Sequence, residues 1–183
     1  MLNTLFLKTN KLTLLLILAS FCLYGVFAYN LARTDHTNLI SIYIVLFGLF
    51  IKIVNKYKNN FKLLIAIAII SRLVFLLAIP NLSQDFYRFI WDGRMILQGF
   101  NPYLHTPASF IALGEYPISQ AQQLVVGMQA LNASHYSNYP PINQLLFTLA
   151  NLFSSSTVLG SVIGLRLIII AADIGTLYFG AKL

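Results

Sequence analysis

Long apolar stretches at 12–29, 39–54, 61–79, 141–153 and 158–180 constrain this chain more than any other feature. A hydrocarbon core about 30 Å thick is crossed by about 20 apolar residues in a helix, because a helix satisfies its backbone N–H and C=O groups where no water can. The stretches therefore predict an all-α fold, a polytopic transmembrane helical bundle of five spans, of which 141–153 is the shortest. Composition agrees. The chain is 58% hydrophobic and 9% charged, where a soluble domain carries about 25% charged residues.

The net charge of +7 would suit a polyanion, but the lysines gather at the ends of apolar stretches, as the positive-inside rule places them in cytoplasmic loops. Membrane lipid is the expected partner, and nucleic acid is not. The single cysteine, Cys22, lies inside the first stretch, so no disulfide framework or cysteine metal site is available and it reads as packing. Lys8 and Lys11 precede that stretch, and Val26-Phe27-Ala28 resembles a signal-cleavage site. The apolar part is long for a signal peptide, and an uncleaved helix is expected.

Lys52, Lys56, Lys58 and Lys62, with no acid among them, mark the connection between the second and third stretches as cytoplasmic. The N-terminus is then cytoplasmic too, and 80–140 is extracytoplasmic. The expected organisation is an N-terminal transmembrane hairpin over 1–60, followed by a module over 61–183. That module comprises a span at 61–79, the loop at 80–140, and spans within 141–180. A loop far longer than about 15 residues is functional or disordered, and the aromatics and prolines of this one argue for folding against the membrane.

Within the loop, Asp85, Arg88, Asp92 and Arg94 alternate with aromatic rings. Ser83 suits an N-cap, Asp85 the first helical turn, and Gly99 a C-terminal stop. Phe86, Phe89, Ile90, Gly93 and Leu97 share one helical face, and Asp85, Arg88 and Asp92 another. This spacing predicts an amphipathic helix at the outer interface. Asn101-Pro102-Tyr103 turns the chain, 121–131 suits a second short helix, and Pro141 suits the first turn of the next one.

Two readings of these charges stay open. Asp85 suits a helix N-terminus and Asp92 an i,i+4 partner of Arg88. Equally, a carboxylate can act as general base while a guanidinium neutralises a phosphate through paired hydrogen bonds. Arg72, Arg166 and Asp173 lie inside apolar stretches, where ionisable groups are costly and face a bundle interior or a water-filled cavity. Arg166 and Asp173 share a helix face about 10 Å apart along the axis. Snorkelling of Arg72 and an interhelical structural role for the other two are the alternatives. His36, His105 and His135 are scattered without ligand spacing, so no metal site is expected from them.

Three motifs together carry a resemblance. They are Leu82-Ser83-Gln84-Asp85-Phe86-Tyr87-Arg88-Phe89-Ile90-Trp91-Asp92-Gly93-Arg94, then Gly99-Phe100-Asn101-Pro102-Tyr103, then Tyr139-Pro140-Pro141-Ile142-Asn143-Gln144-Leu145-Leu146-Phe147. With Arg166 and Ala171-Ala172-Asp173 further on, 70–180 resembles the bacterial polyprenol-phosphate-dependent glycosyltransferases of the GT-C superfamily, the mannosyltransferase-like branch. The resemblance implies a glycosyltransferase of the bacterial inner membrane. It would move a hexose, mannose above all, with inversion from a polyprenyl-phosphate carrier to a glycan or lipid acceptor outside the cytoplasm. Asp85 and Asp92 are then the catalytic candidates, Asp85 as base and Asp92 in support. Arg72, Arg88, Arg94, Tyr139, Arg166 and Asp173 are the candidates for substrate and phosphate binding. The lipid-linked sugar is the donor, and no cofactor is implied with certainty. Gln84 stands where many relatives have a second acid, which leaves any divalent metal open.

Relatives carry many further spans, so the chain is expected to be the N-terminal portion of such an enzyme. A small non-catalytic membrane protein or truncated remnant, binding a lipid carrier or partner, is the alternative. A transporter or channel fits the intramembrane charges but leaves the acidic, aromatic loop unexplained.

Overall fold

A computed structural model describes residues 11–152, 154 and 157–182. Lys8 and the end of the fourth predicted stretch, Phe153, lie outside the described residues. Those residues form eight helices and no strands: α1 (Lys11–Tyr29), α2 (His36–Tyr57), α3 (Phe61–Val74), α4 (Asp85–Leu97), α5 (Pro107–Ala112), α6 (Ala121–Ala133), α7 (Pro141–Leu152) and α8 (Val158–Gly180). The chain divides into two compact units at Asn81 and Leu82.

The first unit holds α1, α2 and α3. Side chains start two of them: Asp35 Oδ1 accepts the Asn38 N–H at 3.2 Å and Asn60 Oδ1 accepts the Leu63 N–H at 3.2 Å, the usual way of satisfying a helix's first donors. The Tyr29 hydroxyl donates to Val74 O at 2.9 Å, and the Asn81 amide donates to Phe27 O at 2.9 Å and Leu31 O at 2.6 Å. Phe75 adds ring contacts to Tyr24 and Phe27. These ties hold the third helix to the first within this unit.

Helix α3 is shorter than the 61–79 stretch predicts. It has 14 residues, about 21 Å at the α-helical rise, and then tightens: Phe75, Leu76 and Ala78 donate to carbonyls three residues back. Pro80 bounds the tight turns, because the residue before a proline, here Ile79, is pushed out of the α region.

The second unit is built around α4, whose neighbours are α6, α7 and α8. Helix α4 ends as the sequence predicts. Gly99 sits at φ +81°, its N–H reaches Ile96 O and the Phe100 N–H reaches Met95 O, both at 2.9 Å; this is the left-handed helix stop that glycine permits. Ser83 Oγ accepts the Asp85 N–H at 3.2 Å. The amphipathic expectation fails in one respect. Ile90, Trp91 and Met95 are buried in the core with Leu124, Met128 and Val162, but Arg88, Asp92 and Arg94 are buried as well. The charged face is covered by other chain, and α4 is the central helix of its unit.

Helix α7 has 12 residues, about 18 Å, too short to cross a bilayer. It lies along α4 with Gln144, Phe147, Ala150 and Asn151 buried. Three helices are long and apolar enough to span: α1, α2 and α8. The other two apolar stretches form the shorter helices α3 and α7. The short helices pack closely where glycine lets them. A Cβ on Gly93 would meet the Phe147 backbone and the Asn151 amide, and one on Gly164 would meet the Ala150 carbonyl oxygen. Gly164→Ala should cost about 1–3 kcal/mol, as overpacking does, seen as a lower melting temperature in detergent. Gly175→Ala, with open space at its Cβ, is the control expected to leave the transition in place.

Candidate functional site

The structure brings together four of the predicted residues, Asp85, Arg88, Asp92 and Tyr139, and it sorts them by exposure. Arg88 and Asp92, 2% and 0% exposed, pair across one helical turn with Nε to Oδ1 at 2.8 Å. The i,i+4 reading of the sequence thus holds. Arg88 Nη1 also donates to the carbonyls of His135 at 2.8 Å and Asn132 at 3.3 Å. The second carboxylate oxygen of Asp92 accepts from Ser137 Oγ at 2.5 Å and Gln144 Nε2 at 2.9 Å. Arg88 Nη2 and Gln144 Oε1 remain as buried polar atoms without a partner among the described residues.

This network fastens 132–137 and α7 to α4. Asp92 is enclosed and its oxygens are occupied by donors, so it suits the supporting role and not that of a base meeting a substrate.

Asp85 is different. It lies exposed in the first turn of α4, where the helix dipole favours a negative charge, and its Oδ1 accepts from Asn132 Nδ2 at 3.2 Å. Arg88 holds the carbonyl of that same Asn132, so the buried ion pair fixes the residue that orients the exposed carboxylate. Tyr139 stands close enough to feel both acids. Burial first, then the charges of Asp85 and Asp92, raise its phenol above the ordinary value of 10.0, partly offset by Arg88. The phenol therefore stays protonated at neutral pH as a hydrogen-bond donor. Its ring meets Phe89 at 5.1 Å and Phe147 at 5.6 Å, both edge-on, and its carbonyl accepts from the Tyr103 hydroxyl at 2.6 Å. The Gly99-to-Tyr103 and Tyr139-to-Phe147 motifs are thereby joined.

Arg94 belongs to a second cluster. Its Nη1 donates to Ser119 O at 2.8 Å, Ser119 Oγ at 3.2 Å and Gln120 Oε1 at 3.4 Å, its Nη2 to Ser161 Oγ at 3.0 Å and its Nε to Asn151 Oδ1 at 3.4 Å. Arg72 lies in the last turn of α3, in the other unit. Arg166 and Asp173 are half-buried along α8. None of these three is free of interactions.

Sequence reasoning missed Asn132, Ser137 and Gln144 around the first cluster, and Ser119, Asn151 and Ser161 around Arg94. One signal was available. Gln144 and Asn151 are seven residues apart in one helix, which puts two amides on one face. The others are neutral polar residues in loops or helix ends and carry no pattern. Among the described residues no three His, Cys, Asp or Glu side chains come together as a metal site.

No curated protein and no solved structure matches the chain. The family model for alpha-(1->6)-mannopyranosyltransferase, N-terminal domain, does, over residues 18–183. That span takes in the exposed Asp85, the ion pair beneath it and Tyr139, and it covers most of the chain. The protein therefore belongs to the alpha-(1->6)-mannopyranosyltransferase family, matching it along the N-terminal domain.

Proposed function

We propose that this chain carries the transfer site of a membrane mannosyltransferase that uses a polyprenyl-phosphate-linked mannose, with Asp85 as general base. The observation that carries the reading is the contrast between the two aspartates of α4. Asp92 is shut away against Arg88, while Asp85 is exposed and held by Asn132.

In the reaction Asp85 takes the proton from the acceptor hydroxyl, the 6-hydroxyl of a mannose by the family's description. The hydroxyl oxygen attacks the anomeric carbon, and the bond from that carbon to the phosphate oxygen breaks. The lipid phosphate leaves with the bonding electrons. Arg88 supplies positive potential behind Asp85, and the protonated Tyr139 phenol can donate to a sugar oxygen. The family match is to an N-terminal domain, so the activity is proposed for the enzyme that contains it.

The same reading places the lysines between α2 and α3 on the cytoplasmic side and Asp85 on the opposite face of a bacterial inner membrane. Length supports this: α3 with the tight turns after it reaches about 29 Å, close to the hydrocarbon thickness. A glycan or lipid bearing terminal mannose is the acceptor class.

Stereochemistry tests the proposal. A single displacement inverts the anomeric carbon, so membranes containing the enzyme should turn over a β-linked mannosyl phosphoprenol into an α-linked product and leave the α-linked donor untouched. Use of the α-donor, or of a sugar nucleotide in its place, would remove this mechanism.

A further inference from the structure

Arg94 presents a charge that the transfer mechanism does not use. Its residue is 5% exposed, and every group it bonds is a neutral carbonyl, hydroxyl or amide. The chain has 5 acidic residues, and none is among its partners. Burial pulls its pKa down, yet a guanidinium does not give up its proton in proteins. A buried cation without a counter-charge is costly unless something anionic reaches it.

A cavity of about 130 Å³ opens beside it, with walls that include Arg94, Gln98, Ser119, Asn151 and Ser154. Among the described residues no carboxylate lines it. Several of its polar groups keep a hydrogen to give. Ser119 Oγ accepts from Arg94 and retains its own proton; Asn151 Nδ2 spends one hydrogen on Phe147 O and has a second. The Gln98 side chain lies exposed at the rim. The volume holds several waters, and so one tetrahedral anion of four oxygens.

We infer that this pocket binds a phosphate-sized oxyanion, with Arg94 as its buried cationic anchor and Ser119, Asn151 and Gln98 as donors around it. The anion compensates Arg94 and ties α4 to α7 and to the segment before α6. The site is distinct from the Asp85 cluster and stands whether or not that cluster transfers sugar. Its ligand is either free phosphate or the phosphoryl headgroup of a lipid, since both present the same oxygens.

The test is thermal unfolding of the whole chain in uncharged detergent, with inorganic phosphate against chloride at matched ionic strength. Phosphate should raise the melting temperature of the wild type by a few degrees, as a ligand that binds only the folded state does. Gln98→Glu tethers a carboxylate at the rim without removing any bond of Arg94, and it should abolish the phosphate shift. Arg94→Gln should abolish it too; if that variant does not fold, Gln98→Glu together with equilibrium dialysis of radiolabelled phosphate against the wild type decides. Dioctanoyl phosphatidic acid run in parallel separates the sources. A larger shift than inorganic phosphate gives assigns a headgroup, and an equal one assigns the free ion. No phosphate shift in the wild type, or the same shift in Gln98→Glu, overturns the inference.

Discussion

Asp85→Asn is expected to lower mannosyl transfer by about 10² or more, the usual loss when a general base is removed, while leaving the protein folded and inserted. The expectation follows from where Asp85 sits. Its side chain is exposed, and its one hydrogen bond among the described residues is accepted from Asn132 Nδ2. An asparagine carbonyl can accept that same bond. The substitution thus removes the charge and the basicity and keeps the shape. Transfer should be measured in membranes containing the enzyme, beside the melting temperature of the purified protein. Near wild-type turnover would take Asp85 out of the mechanism, and an unfolded variant would show that its role is structural.

Asp92→Ala should act in the opposite way, costing about 3–5 kcal/mol of stability, the size found when one member of a buried ion pair is deleted. Arg88 would keep its charge at 2% exposure without a carboxylate, and Ser137 and Gln144 would lose the oxygen they share. For a chain of this length that is a fall in melting temperature on the order of 10 °C. Replacing both partners, Arg88→Met with Asp92→Leu, should recover much of the loss, because no charge is then stranded. Melting of the two variants in detergent settles the point. Equal loss in both would mean that the charges themselves, and not the stranding of one, hold the unit together.

The stop of α4 was legible in the residues because it depends on neighbours a few positions apart. Gly99 is where it is because the chain must turn with positive φ there. Arg88 and Asp92 are one turn apart on any helix, so their pairing was legible as well. The lengths of the helices in two apolar stretches were not. The stretches 61–79 and 141–153 are apolar over most of their extent, and hydropathy does not mark where within them a helix stops. The burial of the polar face of α4 was hidden for a related reason. Its polar face looks like a face for water, and only the arrival of 132–137 and α7 makes it an interior.

What the sequence determined by itself is therefore the local and compositional layer: helices throughout, a chain built for the membrane, the C-terminal stop of α4, the pairing geometry of Arg88 with Asp92, and a motif set that resembles its family. Tertiary structure decided which charges are buried and which one meets solvent. Asn132 lies 47 residues beyond Asp85, and Ser161 lies 67 beyond Arg94. Neither partner is marked by charge or periodicity. Such contacts exist only once the helices have packed, because a hydrogen bond extends about 3 Å and nothing in the intervening sequence specifies which distant backbone or amide will be brought within it.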